Sequence, residues 1–304
     1  MKFTLGAYAP DRCIRDEGEA MLCASYNIQY GVGKDGRFDL DRTVAEIGAA
    51  DLVALQEVDR HVARSGMVDQ VTEIAARMPG MHWVYGPGID ADASEEVNGT
   101  IVHRRRQFGN MVLSRWPILS SANHLLPKSA FVHQVHSRRA MIETVIETPL
   151  GPLRFASVHF DHIGPETRLP QIEAAKRVLL DGPATGATWG GPFADGWFDR
   201  PAPPMPTPVI LMGDFNFAPD SSEYDKFLGT SGSHGRLSYV QGFADAWVAA
   251  GHGESDGYSI EFRGIRKRID HCFVTADLAP RVKRAWIDNE AQGSDHQPVF
   301  FDFA

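Results

Sequence analysis

Several places in the chain carry side chains that can bind a cation or move a proton, and each lies at or next to the end of an apolar run. Carboxylates and amides supply the oxygen ligands that Mg²⁺ and Ca²⁺ prefer, and imidazole and carboxylate groups serve as general acids and bases. Because strand ends gather along one edge of a sheet, we expect these side chains to converge on one site. They are Asn27, Glu57, Asn110, His159, Asp161, Asp214, Asn216, Asp270, Asp295 and His296.

The elements that must position these residues follow from the apolar periodicity. Amphipathic stretches predict helices at 39–49, 67–78 and 166–180, the first with Asp39 as its N-cap. Short apolar runs predict strands at 22–28, 51–58, 111–114, 139–147, 153–160, 208–215, 268–275 and 297–303. Residues 86–108 and 182–207 predict long loops, which either cover a binding site or are variable surface insertions.

Composition narrows the classes of function. The chain has 304 residues, of which 43% are hydrophobic, and a formal net charge of -9. This charge disfavours a protein whose main task is to grip nucleic acid non-specifically, since that task needs excess Lys and Arg. A local basic run, Arg104 to Arg106, either lies in solvent or binds an anionic substrate.

The segment 1–20 is expected to be an N-terminal extension, and residues 21–304 one catalytic domain, because no linker divides them. The three cysteines, Cys13, Cys23 and Cys272, are too few and too widely spaced for a disulfide framework. Free thiols indicate a reducing compartment, so we expect a cytoplasmic protein. No apolar run approaches the length of a membrane span, and the sequence does not indicate an oligomeric state.

Short motifs around the candidate residues resemble those of the endonuclease/exonuclease/phosphatase superfamily, over about residues 21–304. This DNase I-like group of metal-dependent hydrolases also contains apurinic endonucleases, neutral sphingomyelinases and inositol-polyphosphate 5-phosphatases. Each motif alone is weakly specific, but their joint order is highly specific. The motifs are YNIQ (26–29), LQEVD (55–59), HFDH (159–162), GDFN (213–216), RIDHCF (268–273) and GSDH (293–296).

The resemblance implies a fold of the α/β (α+β) class: a four-layer α/β/β/α sandwich of two mixed, largely antiparallel sheets. It also implies roles for the candidate residues. Glu57, Asn27 and Asp295 are expected to hold Mg²⁺, for which Mn²⁺ or Ca²⁺ could substitute. Substrate is expected to contact Asn110, Arg139 and Asp161, although a solvated Arg139 at a strand edge is an equal alternative.

The resemblance further implies catalytic roles for five residues. Asp214 is expected to be the general base or to orient the water, with Asn216 donating its amide nearby. Asp270 is expected to hold the imidazole of His296, and His159 to contact the phosphate from the opposite side. Ser157 and Val158 precede His159 where the family usually has Asn and Thr, which leaves the support of this imidazole open.

These residues together predict hydrolysis of a phosphodiester or phosphomonoester by metal-assisted in-line attack of water. A small-molecule or lipid-type substrate is favoured, partly because the 182–207 stretch contains Trp189, Phe193, Trp197 and Phe198. A DNA or RNA endonuclease or exonuclease is the first alternative. A catalytically inactive binding module is an alternative of another class, which would be expected to lack some of the catalytic residues.

Overall fold

The structure is a computed structural model that describes residues 20–190, 201–237 and 239–304. The helices are α1 (Leu40–Ile47), α2 (Gln70–Arg77), α3 (Pro165–Thr185), α4 (Ser222–Leu228) and α5 (Ala246–Ala249). The strands are β1 (Met21–Asn27), β2 (Leu52–Arg60), β3 (His82–Asp92), β4 (Glu95–Val97), β5 (Thr100–Val102), β6 (Arg105–Ser114), β7 (Ile118–Leu125), β8 (Ala140–Thr148), β9 (Gly151–His159), β10 (Val209–Asp214), β11 (Ser231–Gly232), β12 (Gly235–Arg236), β13 (Phe243–Asp245), β14 (Ile260–Phe262), β15 (Ile265–Lys267), β16 (Asp270–Thr275), β17 (Val282–Ile287) and β18 (Val299–Phe303).

Two large mixed sheets form the middle of the structure. The first has the strand order β17-β18-β1-β2-β6-β3, and the second has the order β13-β16-β10-β9-β8-β7. The pairs β1/β2 and β9/β10 are parallel and the other neighbours are antiparallel. Helix α1 connects the first parallel pair and α3 connects the second, as parallel strands require a crossover.

Both faces of each sheet are buried, which explains why the strands read as continuous apolar runs. Along β1, Met21 and Cys23 face the opposite sheet, whereas Leu22 and Ala24 face the helices. Helices α1 and α2 cover the first sheet, and α3 and α4 cover the second. The predicted α/β/β/α sandwich is therefore confirmed.

The predicted elements were confirmed where an apolar pattern marked them. All eight predicted strands and all three predicted helices exist, and the Asp39 side chain accepts the N–H of Arg42 as the N-cap of α1. Cys23 and Cys272 are free and buried, while Cys13 lies outside the described residues. Within the described part of the chain, no helix is both long and apolar enough to cross a membrane.

The loop predicted over 86–108 was wrong, because this segment is a β-hairpin arm. Strands β3 and β6 pair as far as Asp92 and Arg105, and the small β4/β5 hairpin forms the tip. The tip strands are exposed, so the sequence shows no alternation of buried and polar residues. The predicted 182–207 loop begins inside α3, which continues to Thr185, and residues 191–200 lie outside the described residues.

Gly213 allows two strands of the second sheet to approach closely. It pairs with Val158 of β9, and a Cβ atom at this position would lie 1.9 Å from the Val158 carbonyl oxygen. The neighbouring residue in each strand, Asp214 and His159, is a predicted catalytic residue. The glycine of the GDFN motif therefore fixes the spacing of the two strands beneath the site.

We predict that Gly213→Ala lowers the free energy of unfolding by about 1–3 kcal/mol, since the added methyl group must push the strands apart. The midpoint of urea denaturation measures this change. Gly80→Ala is the matched control, because a Cβ at Gly80 meets no atom within 4 Å. Equal midpoints for the two variants would show that the close approach at Gly213 is unimportant.

Candidate active site

Strand pairing brings the predicted catalytic residues of the second sheet together. Asp214, at the end of β10, is paired with His159, at the end of β9, and with Asp270, at the start of β16. In the first sheet, Asn27 at the end of β1 pairs with Gln56 of β2, directly before Glu57. The two sheets therefore present these side chains along a shared edge of the sandwich.

The carboxylate of Asp214 is the centre of this cluster. Its Oδ2 accepts Asn27 Nδ2 at 3.0 Å and lies 3.3 Å from Nε2 of His159 and 3.7 Å from Nε2 of His296. Its Oδ1 accepts the backbone N–H of Asn216 at 2.9 Å. Burial raises the pKa of Asp214 to about 7, although the positive charge of His296 opposes this shift. A carboxylate with such a pKa is well matched to take up a proton near neutral pH.

The imidazole of His296 is held by Asp270. The distance from His296 Nδ1 to Asp270 Oδ2 is 2.7 Å, and the backbone N–H of Asp270 donates to Ser259 Oγ at 3.0 Å. Burial by itself lowers the pKa of His296, but the charges of Asp270 and Asp214 outweigh burial and raise it to about 10. His296 is thus a buried imidazolium that can donate a hydrogen bond to a phosphoryl oxygen.

The second imidazole, His159, has the opposite environment. Burial and the positive charge of Arg139 hold the pKa of His159 well below its usual range. Nη1 of Arg139 lies 3.0 Å from Nδ1 and 3.1 Å from Nε2 of His159, and Nη2 lies 3.1 Å from His162 Nδ1. Arg139 is buried, so the alternative of a solvated Arg at a strand edge was wrong. His159 is supported by this arginine.

Glu57 offers a half-buried carboxylate at the same edge. It lies in a β-bulge of β2 and has a φ of 59°, so its side chain departs from the regular alternation of the strand. Burial raises its pKa, while the charges of His296 and Arg139 and a hydrogen bond from Asn27 oppose this shift. Asp295 is exposed and acts electrostatically on Glu57.

These three residues fit a divalent cation. Glu57, Asn27 and Asp295 together supply two carboxylates and one amide oxygen, and such oxygen donors suit Mg²⁺ or Mn²⁺. Asn27 is buried, but Glu57 is half-buried and Asp295 is exposed, which leaves room for the water and substrate oxygens that Mg²⁺ retains as ligands.

A different group in the described residues, Asp214, Asp270 and His296, has potential ligand atoms within 4.8 Å of one another. We assign this group to hydrogen bonding instead. Asp270 Oδ2 contacts His296 Nδ1 at 2.7 Å, and Asp214 Oδ2 accepts Asn27 Nδ2 at 3.0 Å, so both carboxylates already have partners within the protein.

Three predicted residues have their polar atoms engaged by the protein itself. Asn110 Nδ2 donates to the Ala140 carbonyl oxygen at 2.7 Å, which links the two sheets. Asn216 Nδ2 donates to the Phe160 carbonyl oxygen at 3.1 Å. Asp161 is fully buried, and its Oδ2 lies 2.5 Å from His136 Nε2. The structure thus gives all three a positioning role, and their contact with substrate or water remains a prediction.

Two arginines of the basic run are paired with acidic side chains. Arg104 pairs with Glu95 and Arg105 pairs with Asp90 inside the hairpin arm.

Arg64 is a candidate site residue that the sequence did not reveal. It follows β2 and lies close enough to Glu57 to interact with it electrostatically. Its position soon after the LQEVD motif was the only available signal.

The two-sheet sandwich with carboxylate, amide and imidazole groups at one edge defines a hydrolase fold, and comparison with known proteins identifies the family. Residues 24–296 match the model described as "Endonuclease/Exonuclease/phosphatase family". The chain therefore belongs to this family, whose members are hydrolases that act on phosphate esters, and it is an enzyme of this class. The family generally depends on divalent metal ions.

Solved structures share the fold at low sequence identity. An endonuclease/exonuclease/phosphatase from Bacteroides vulgatus is 18% identical with a TM-score of 0.63, covering 94% of this chain and 98% of that chain. The mannosyl-6-phosphatase of Bacteroides thetaiotaomicron is 19% identical with a TM-score of 0.58, covering 92% and 98%. A 3′ phosphatase from Neisseria bound to a product DNA hairpin is 18% identical with a TM-score of 0.59, covering 93% and 99%. No curated protein sequence matches the chain.

We predict that Arg139 helps to keep His159 neutral. Burial and the positive charge of Arg139, whose Nη1 lies 3.0 Å from Nδ1 of the ring, both lower the pKa of His159. Arg139→Met removes this positive charge and should therefore raise the pKa of His159, which NMR titration of the imidazole measures. The exposed neighbour provides the control Arg138→Met, and an unchanged pKa of His159 in Arg139→Met would contradict the assignment.

Proposed function

We propose that this protein is a Mg²⁺-dependent phosphoesterase that hydrolyses its substrate by in-line attack of water, within one catalytic domain spanning residues 21–304. The observation that carries the proposal is the buried Asp214 carboxylate, which meets Asn27 from the other sheet and two imidazoles at 3.0–3.7 Å. Glu57, Asn27 and Asp295 would hold the metal ion, which would neutralise phosphate oxygens and favour ionisation of water.

The side chains of the chain then have distinct tasks. Asp214 orients the attacking water and accepts its proton, which its pKa of about 7 permits. His296, held by Asp270, donates to a phosphoryl oxygen whose negative charge grows during attack. His159 is neutral, and its Nε2 lies 3.3 Å from Asp214 Oδ2, so it contacts the phosphate from the other side of this carboxylate. The arrangement needs no covalent intermediate.

We favour a phosphodiester or phosphomonoester of small-molecule or lipid type. The net charge of -9 gives no broad attraction for nucleic acid. Arg104 and Arg105 are already neutralised by acidic partners in the arm. Among the structural neighbours, one is a mannosyl-6-phosphatase and another is a 3′ phosphatase bound to a product DNA hairpin, so this fold occurs in phosphatases both with and without a nucleic acid ligand in their names.

We expect chelation by EDTA to abolish hydrolysis and Mg²⁺ or Mn²⁺ to restore it. Glu57→Gln should raise the Mn²⁺ concentration for half-saturation, measured by calorimetry, by about tenfold or more because a carboxylate ligand is lost. The control is Glu96→Gln, an exposed glutamate of the hairpin arm. Equal Mn²⁺ affinity in the two variants, or full activity in excess EDTA, would refute the metal assignment.

A substrate panel at one Mg²⁺ concentration tests the reaction class. It compares bis-p-nitrophenyl phosphate, p-nitrophenyl phosphate, inositol phosphates, sphingomyelin and plasmid DNA. We expect turnover of at least one small-molecule or lipid ester to exceed that of DNA. Asp214→Asn should lower this turnover by about 10²–10⁴-fold, because the amide cannot accept the proton. Faster cleavage of DNA than of any other substrate would favour the nuclease alternative.

A further inference from the structure

Arg64 is held rigidly beside the candidate active site. Its Nε and Nη2 both donate to the carboxylate of Asp59 at 2.9 Å, forming a bidentate pair. Asp59 is fully buried, and its Oδ2 also accepts the hydroxyl of Ser65 at 3.0 Å. A planar guanidinium fixed by two parallel hydrogen bonds has little freedom left to lose when it binds a further group.

Two aromatic rings contact the same guanidinium. Its carbon lies 4.2 Å from the centre of the Tyr30 ring and 5.0 Å from the centre of the Phe108 ring. The Arg64 side chain is nevertheless 44% exposed. Its third nitrogen, Nη1, makes no hydrogen bond to any described residue. Arg64 is therefore held in place while its Nη1 presents two N–H donors to solvent.

The position of this donor relates it to the reaction. Phe108 contacts both Arg64 and His159, with its ring centre 6.3 Å from that of the imidazole. Asp59, which holds Arg64, is paired with Phe108 across β2 and β6. Glu57, the proposed metal ligand, acts electrostatically on Arg64. Arg64 thus lies at the rim of the site, separated from the catalytic imidazole by one aromatic ring.

Arg139 and Arg60 do not offer such a donor. Arg139 is buried against His159 and His162. Arg60 is engaged by Asp69 through Nε and Nη2 and by Gln107 through Nη1. Neither guanidinium combines a rigid support with a free nitrogen facing solvent.

We propose that Nη1 of Arg64 binds a second phosphate of the substrate, so that the preferred substrate is a small molecule with two phosphate groups. One phosphate occupies the catalytic cluster and is hydrolysed, while Arg64 holds the other at the rim. The inference rests on the proposed phosphoesterase function and narrows its substrate class. A guanidinium donor suits phosphate, since it is permanently charged and forms short, charge-assisted hydrogen bonds.

Direct binding tests this proposal without requiring turnover. Calorimetry at saturating free Mg²⁺ compares alkane-α,ω-bisphosphonates of increasing length with the alkyl monophosphonate of each length. In the native protein, the bisphosphonate of one length should bind at least about tenfold more tightly than the monophosphonate of that length, as expected for one charge-assisted hydrogen bond. The quantity compared between variants is the ratio of these two affinities. In Arg64→Met, this ratio should fall below about threefold.

Two further variants keep the test decisive. Because Arg64→Met leaves the charge of Asp59 buried and unpaired, Arg64→Met/Asp59→Asn removes both charges and should lose the ratio equally. The matched control is Arg115→Met at the opposite end of β2, where an exposed arginine pairs with the buried Asp51 at 3.0 Å, and its ratio should be unchanged.

The outcomes separate this inference from the function itself. Loss of the ratio in Arg64→Met supports the second phosphate site at Arg64, and if no phosphate ester is hydrolysed it is the phosphoesterase function that fails. A native ratio near one at every spacing, or a ratio retained in both Arg64 variants, overturns it while leaving the phosphoesterase assignment intact. Tighter binding of a short single-stranded DNA than of any bisphosphonate, lost in Arg64→Met, would also overturn the small-molecule assignment.

Discussion

The hydrogen bond from Asn27 Nδ2 to Asp214 Oδ2 joins the two sheets at the edge where the site lies. Its partners belong to different sheets and both are buried, so a displacement of one sheet would leave a buried carboxylate without this donor. Such a loss costs about 1–3 kcal/mol or more for a charged group. Further links lie beneath it, from Gln56 to Ser157 at 2.9 Å and from Asn110 to the Ala140 carbonyl oxygen at 2.7 Å.

The same carboxylate separates two imidazoles that the protein keeps in opposite states of charge. His296 is positive because Asp270 and Asp214 outweigh the effect of burial on its pKa. His159 is neutral because burial and Arg139 act in the same direction. The charged neighbours of each imidazole, together with burial, thus decide whether the ring carries charge, and the two rings offer different hydrogen-bond donors to the substrate.

Backbone strain gathers around this edge. Glu57, Asn216, Gln29 and Tyr30 all have φ between 43° and 59°, a region that residues with a side chain seldom occupy. Each such residue costs on the order of 1–3 kcal/mol and persists only where its surroundings impose the conformation. Here the surroundings are hydrogen bonds, for example from the backbone N–H of Asn216 to Asp214 and from Gln70 to the Tyr30 carbonyl oxygen.

The sequence by itself determined eight of the strands and the identity of the strand-end residues, because burial on both faces and the short motifs are local signals. The sandwich followed from the family resemblance of those motifs, whereas the sheet strands β3, β7, β13 and β17 were not predicted. The hairpin arm escaped prediction since its exposed tip lacks an apolar face. Only the tertiary structure decided that Arg139 supports His159, that Asn110 links the sheets, and that Arg64 presents a free nitrogen at the rim. Each of these roles depends on partners distant in sequence or on contacts across two sheets, and local spacing carries no information about them.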